Sequence, residues 1–399
     1  MNVLRKAFCR TYQFCFRLAL PLLPYKRPKT RESLSLIPAI LRRKHIHKVL
    51  IVTDKGLVKA GLINLLTDEL KKNKVTYAIY DETVANPTID NVEAARTLYL
   101  QSGSEAIIAL GGGSAMDCAK ACGARIAQPW MSVKRMGGIL KVMRKLPILI
   151  AVPTTAGTGS ETTLAAVITD ATTHHKVPIN SFPLIPRYAI LDYKLTTGLP
   201  KPITATTGMD ALTHAVEAYI GGTTTRETRS LAIEATLLIK RYLYRAYQDG
   251  NDTEARQAML RAANSAGAAF SKSYVGYVHA VAHSLGGQYG IPHGLANSVL
   301  LPIVLRAYGK ACWHRLADLA RKSDIAPADA SDEEAANRFI DWVQEMNDSM
   351  QIPRKLEGIR DEDIPCMAAR ADKEANPLYP VPILMDKNEL KQFYYAVKA

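Results

Sequence analysis

The texture of the chain changes once, near Leu199-Pro200, and that change constrains the fold more than any other feature. Before it, short apolar runs alternate with helical periodicity: Lys48–Asp54 (KVLIVTD), a helical stretch over 57–74, Thr76–Asp81, another helical stretch over 88–103, and Ala106–Leu110. A strand buried on both faces reads as a continuous apolar run, and strands that alternate with helices need crossover connections. The pattern therefore predicts a parallel sheet covered by helices. Two more runs, Ile148–Pro153 and Tyr188–Asp192, and a hairpin predicted between Leu164 and Asn180, complete this half. After residue 200 the segments 205–219, 228–248, 252–271, 278–286 and 295–310 all read as helices. The expected organisation is a basic extension over 1–25, an α/β domain over 26–200 and an all-α domain over 201–399. A length of 399 residues with 48% hydrophobic content suffices for two cores.

In the first half, Gly111–Lys120 (GGGSAMDCAK) follows a predicted strand and opens a helix. Glycines allow the backbone to turn tightly and approach a ligand, and the free amides at a helix start attract phosphate. This predicts a pyrophosphate cradle, although it is not the familiar GxGxxG and Gly-rich turns of this kind also occur for purely structural reasons; Ser114 and Asp117 could equally be a helix cap and its partner. Asp54 ends a strand where a carboxylate can accept hydrogen bonds from a ribose and repel a 2′-phosphate, or simply form a turn. The loop Pro153–Thr163 (PTTAGTGSETT) is dense in hydroxyls and glycine, which suits phosphate or ribose recognition.

In the second half, Gly208–Tyr219 (GMDALTHAVEAY) puts Asp210 and His214 four residues apart, on one face of a helix. His279, His283 and His293 follow within His279–His293 (HAVAHSLGGQYGIPH), three of the nine histidines of the chain. Imidazole and carboxylate donors suit iron(II), zinc and other first-row divalent ions. Five candidate ligands stand open at this point, since a helical Asp–His pair can also be a hydrogen-bonded core pair and His283 can be packing.

The formal charge of +14 permits nucleic acid, an anionic surface or anionic ligands. No basic stripe is interleaved with aromatic residues, which argues against a nucleic-acid partner. The six cysteines are scattered without a CxxC pair and read as reduced thiols of a cytoplasmic protein. Residues 1–30 contain Arg5, Lys6, Arg10, Arg17, Lys26, Arg27 and Lys29 and no acid. On a helical wheel Lys6, Arg10 and Arg17 share one face, opposite Leu4, Phe8, Tyr12, Cys15 and Ala19. Such a helix docks on the protein's own surface, lies on a membrane or partner, or is a cleaved targeting segment.

GGGSAMDCAK, PTTAGTGSE, GMDALTHAVEAY and HAVAHSLGGQYGIPHGLANSVLLP, in this order and spacing, closely resemble the iron-containing (group III) alcohol dehydrogenase family of the dehydroquinate synthase-like superfamily. The resemblance covers about residues 25–399 and includes Asn86–Thr88 and the C-terminal NPLYPVPILMDKNEL. It implies an N-terminal Rossmann-like dinucleotide-binding domain, a C-terminal helical metal-binding domain, and catalysis in the cleft between them. By matching positions it implies Asp210, His214, His279 and His293 as metal ligands, with His283 near the nicotinamide and substrate, where it can relay a proton or serve as a buried structural neighbour of the ligands. Gly111, Gly112, Gly113, Ser114 and Asp117 match the pyrophosphate turn, and Thr154, Thr155 and Thr158 match the loop on cofactor phosphate and ribose. Asp54 matches the position associated with NAD over NADP, while Asn86, Lys176 and Leu195 fall near cofactor or substrate contacts. The implied activity is hydride transfer between NAD(H) and a primary or small alcohol or its aldehyde, with a divalent metal, iron(II) before zinc, polarising the substrate oxygen. A diol or polyol dehydrogenase of the same superfamily, and a non-catalytic assembly role through the basic helix, are the alternatives. Homo-oligomers are common in the family.

Overall fold

The computed structural model describes every residue except 173 and 174, and only the backbone of His175. The chain divides into two compact units, Pro24–Thr197 and a second made of Met1–Leu23 with Gly198–Ala399.

Among the described residues the first unit has nine strands: β1 (Lys29–Arg31), β2 (Lys48–Val52), β3 (Thr76–Tyr80), β4 (Ala106–Gly111), β5 (Gly138–Ile139), β6 (Ile148–Pro153), β7 (Ala165–Asp170), β8 (His175–Asn180) and β9 (Tyr188–Ile190). Six of them form one sheet in the order β1-β9-β6-β4-β2-β3, and every pairing in it is parallel. Successive side chains point to opposite faces. Leu50, Val52, Ile107 and Ala109 thus enter one apolar cluster, and Val49, Ile51, Ile108 and Leu110 enter another. Burial on both faces is why these strands read as unbroken apolar runs. The expected hairpin is β7 against β8, antiparallel, within a small second sheet that β5 joins; its tip, 173–174, lies outside the described residues. The stretch over 57–74 is two helices, Lys55–Lys59 and Leu62–Lys72, because Gly61 adopts a left-handed φ of 72° between them.

The topology locates the ligand end of this unit. From β2 the chain moves to β3 on one side, then returns to β4 on the other. The sheet order therefore reverses at β2/β4, and open α/β sheets bind ligands beyond the carboxyl ends of the strands at such a switch point. Asp54 lies just past the end of β2, and Gly111–Gly113 close β4.

In the second unit the helix Lys201–Ile220 is buried along most of its length and lies centrally. Its neighbours include Arg226–Gln248, Thr253–Ser273 and His293–Tyr308. Gly208 allows close approach: a Cβ there would stand 2.2 Å from Leu243 Cδ1 on the Arg226–Gln248 helix. The N-terminal helix Val3–Ala19 also packs in this unit, through a face that belongs neither to the basic nor to the apolar side of the wheel. Cys9 and Gln13 are buried on it, Arg5 pairs with Asp372 at 2.6 Å, and Phe16 meets Tyr274 edge to face. No helix among the described residues is long and apolar enough to cross a membrane.

Lys120 connects the first unit's core to its polar loop. Wholly buried, it donates to the Ser160 carbonyl and hydroxyl, the Thr163 hydroxyl and the Ala165 carbonyl at 2.7 to 2.9 Å. Burial lowers its pKa to about 8, so the group remains mostly charged at neutral pH. Lys120→Ala strips these acceptors of their donor and is expected to lower the unfolding free energy by about 3 kcal/mol in urea denaturation. A loss below about 1 kcal/mol would show that water replaces the ammonium without penalty.

Candidate metal centre and cofactor turn

Asp210 and His214 project from the central helix Lys201–Ile220, one turn apart. His279 is the third residue of Tyr277–Tyr289, and His293 opens His293–Tyr308. One donor atom from each of the four lies within 4.8 Å of all the others. Asp210 Oδ1 is 3.5 Å from His293 Nε2 and 3.9 Å from His279 Nε2. A tetrahedral cation with bonds of ~2.1 Å sets its donors roughly 3.4 Å apart, so the spacing fits one metal ion. Glycine makes the convergence possible: a Cβ on Gly294, next to His293, would stand 2.5 Å from the Thr206 carbonyl oxygen of the central helix.

Electrostatics favours the same assignment. Asp210, His214 and His279 are nearly inaccessible. Burial, then the neighbouring rings of His214, His293 and His283, hold His279 well below the usual imidazole range, so it is neutral. Its Nδ1 lies 2.6 Å from Glu217 Oε2, and its Nε2 is buried with no hydrogen-bond partner. A buried unsatisfied donor or acceptor is expensive, and a cation facing Nε2 would remove that cost.

Glu217, Asn297 and Glu374 were not anticipated from the sequence. Glu217 accepts hydrogen bonds from the amides of Gly276 and Val278, both at 2.8 Å, besides facing His279. Burial pushes its carboxyl up to about 7 against the pull of those amides. The sequence did hold a signal, since Glu217 is three residues beyond His214 on the face that carries Asp210. Asn297 Nδ2 donates to Asp210 Oδ1 at 2.7 Å and lies 3.1 Å from His293 Nε2.

His283 is adjacent to the cluster but is not one of its four donors. Its ring stacks on His293 at 5.1 Å, and its Nδ1 is 2.6 Å from Glu374 Oε1, which also accepts from the Tyr379 hydroxyl at 2.7 Å. The N-terminal helix holds this same segment: Gln13 donates to the Pro377 and Tyr379 carbonyls, and Arg10 to those of Val381 and Pro382.

In the first unit, Gly111 has φ 153°, and a Cβ there would overlap Ala115 Cβ at 2.6 Å. Gly112 caps the helix Gly113–Ala127 without any side-chain hydrogen bond, so the first amides, Ser114 among them, keep their donors for an anion. Thr155 and Thr158 face this turn: Cβ atoms on Gly112 and Gly113 would lie 3.5 Å from Thr155 Oγ1 and 3.2 Å from Thr158 Cγ2. Thr154 is buried behind them, its amide donating to the Gly111 carbonyl. Asp54 Oδ2 stands 3.8 Å from the Cβ position of Gly111, while Oδ1 caps the following helix by accepting from Leu57 N. Asn86, in a left-handed conformation with φ 57°, accepts from Lys176 Nζ at 3.1 Å, which brings those two predicted residues together. Asp117 spends both oxygens inside the unit, on Ser160 Oγ and Val167 N. Leu195 is 1% exposed and packs its side chain into the apolar cluster beneath the sheet.

Two family descriptions match the chain, "Iron-containing alcohol dehydrogenase" over residues 29–193 and "Fe-containing alcohol dehydrogenase family, C-terminal" over 204–397. The chain is 37% identical to alcohol dehydrogenase 4 of Schizosaccharomyces pombe over 337 residues, 83% of this chain and 79% of that protein. It is 38% identical to 1,3-propanediol dehydrogenase of Citrobacter freundii over 333 residues, 82% of this chain and 86% of that one. Among solved structures it is similar to sulfoacetaldehyde reductase from Bifidobacterium kashiwanohense in complex with NAD+, with a TM-score of 0.83 and 27% identity over 94% of this chain and 98% of that one. With both halves matched and relatives above a third identical across most of its length, the chain belongs to the iron-containing alcohol dehydrogenase family, NAD-dependent oxidoreductases that carry a metal.

Proposed function

We propose that Asp210, His214, His279 and His293 hold one divalent cation, iron(II) in the first place and zinc in the second, and that His283 relays the proton of the reacting oxygen. The observation that carries this is the convergence of four donor atoms within 4.8 Å, with the buried Nε2 of His279 left unsatisfied. NAD, in preference to NADP, is held by the Gly111, Gly112, Gly113 and Ser114 turn, by Asp54, by Thr154, Thr155 and Thr158, and by Asn86 with Lys176. Asp117 serves that turn indirectly, by fixing its helix to the Ser160 loop.

When bound, the cation lends Lewis acidity to an alcohol or aldehyde oxygen, and the nicotinamide takes up or returns a hydride. The residues of the chain prepare this chemistry. Glu217 holds Nδ1 of His279, so Nε2 is the donor that points into the cluster. Asn297 fixes the Asp210 carboxylate. Glu374 holds Nδ1 of His283, so a proton moves at Nε2. Asp54 offers a carboxylate to the ribose hydroxyls and opposes a 2′-phosphate.

The substrate is a primary or small alcohol or the corresponding aldehyde. A diol is supported by the likeness to 1,3-propanediol dehydrogenase. We place the protein in the cytoplasm, as its free cysteines suggest, and read it as a homo-oligomer whose residues 1–25 form a surface for a partner or membrane.

Two variants test the assignment. His279→Ala and Asp210→Ala should each weaken metal binding by at least about 100-fold and abolish NAD-coupled alcohol oxidation, with the far-UV circular dichroism unchanged. Turnover at the parent rate in metal-stripped variant protein would refute the assignment. Asp54→Gly should raise kcat/KM with NADP relative to NAD by about tenfold or more, because it removes a charge that opposes the 2′-phosphate. An unchanged ratio would remove Asp54 from cofactor selection.

A further inference from the structure

The N-terminal helix Val3–Ala19 turns its apolar side away from the protein. Its inward face is set by Arg5, Cys9, Gln13 and Phe16, spaced three or four residues apart and anchored on Asp372, on backbone carbonyls of the 377–379 segment and on Tyr274. At about 100° per residue the opposite side of the helix carries Val3, Leu4, Phe8, Phe14 and Leu18. These five are 58% to 83% exposed: 81%, 83%, 61%, 58% and 62% in chain order. Leu22, in the turn that follows, is 85% exposed. Side chains of this size, adjacent and uncovered, mark an interaction surface.

The charge beside this stripe indicates what covers it. Lys6 and Arg17 line one edge of the apolar side and are exposed, while Arg10 between them donates to the Val381 and Pro382 carbonyls. No acidic residue occurs before Glu32. A helix with a wide apolar face and a cationic edge, too polar to span, lies in the plane of a bilayer surface and is held by buried apolar area together with anionic headgroups. A second copy meeting this face about a twofold axis would present the same patch, with no acid in the first 31 residues to meet the cationic edge.

We infer that the outward face of Val3–Ala19 docks the enzyme on an anionic bilayer surface, with Phe8, Phe14 and Leu18 entering the headgroup–acyl boundary and Lys6 and Arg17 meeting acidic headgroups. The inference rests on the reading of residues 1–25 as a contact surface and names its partner. The inward contacts fix the rotation of the helix, so the apolar side faces outward before any lipid is met.

The test is co-sedimentation of the full chain with vesicles of phosphatidylglycerol and phosphatidylcholine, and with vesicles of phosphatidylcholine alone. The chain should bind the anionic vesicles, and binding should weaken by about tenfold or more in Phe8→Asp/Leu18→Asp and in Lys6→Glu/Arg17→Glu. Turnover in solution should be unchanged in both variants. Absence of binding to anionic vesicles, or binding that both variants keep, would overturn the inference. Sedimentation velocity on the same proteins separates it from the broader reading. A variant that binds no vesicles less than the parent but falls to a smaller assembly would give the face to a second copy, against lipid but in favour of a contact surface. No change in either measurement would overturn both.

Discussion

The buried carboxylate of Glu217 is the group on which the metal-binding half depends. It sits on the central helix, one turn beyond His214, and receives the Gly276 and Val278 amides at the start of the helix that carries His279. The same oxygen that takes the Gly276 amide lies 2.6 Å from His279 Nδ1. One carboxylate therefore joins two helices, caps one of them and orients the His279 ring. Gly276 is part of this arrangement, because a Cβ there would stand 2.6 Å from Glu217 Oε1. Charge buried this deeply is tolerated only where hydrogen bonds and a counter-charge meet it, and a cation held among Asp210 and the three histidines, as proposed above, would supply the latter.

The two units meet their ligands by related means. In each, glycine removes a Cβ that would block approach: Gly294 against Thr206 beside the proposed metal ligands, and Gly111 against Ala115 in the proposed cofactor turn. In each, a buried polar side chain then holds the irregular backbone that results. Lys120 does this for the hydroxyl-rich loop and Glu217 for the start of the Tyr277–Tyr289 helix. Rigid support of this kind keeps donors where a ligand needs them before it arrives.

Much of this was legible from residue order. Continuous apolar runs gave β2, β4 and β6 because both faces of those strands are buried, and the four-residue step from Asp210 to His214 placed both on one helix face. Spacing could not separate His279 from His283, which are also four apart on one face. Only the family resemblance divided ligand from neighbour, and the structure then gave the second ring its own carboxylate, Glu374, 91 residues away in sequence. The three-residue edge strand β1 carries too little periodicity to be read, and the helix break at Gly61 depends on a left-handed turn that periodicity does not register. The N-terminal wheel identified a basic and an apolar face, yet the face that docks lies between them and is set by Gln13, Arg5 and their distant acceptors.

The central claim is that one carboxylate and three imidazoles share a single cation. X-ray absorption at the iron edge, on the full chain loaded with Fe2+ without oxygen, tests it most directly. The account predicts nitrogen and oxygen neighbours at ~2.1 Å, outer-shell scattering from three imidazole rings, and no sulfur. A sulfur neighbour at ~2.3 Å, or a spectrum without imidazole scattering, would contradict it.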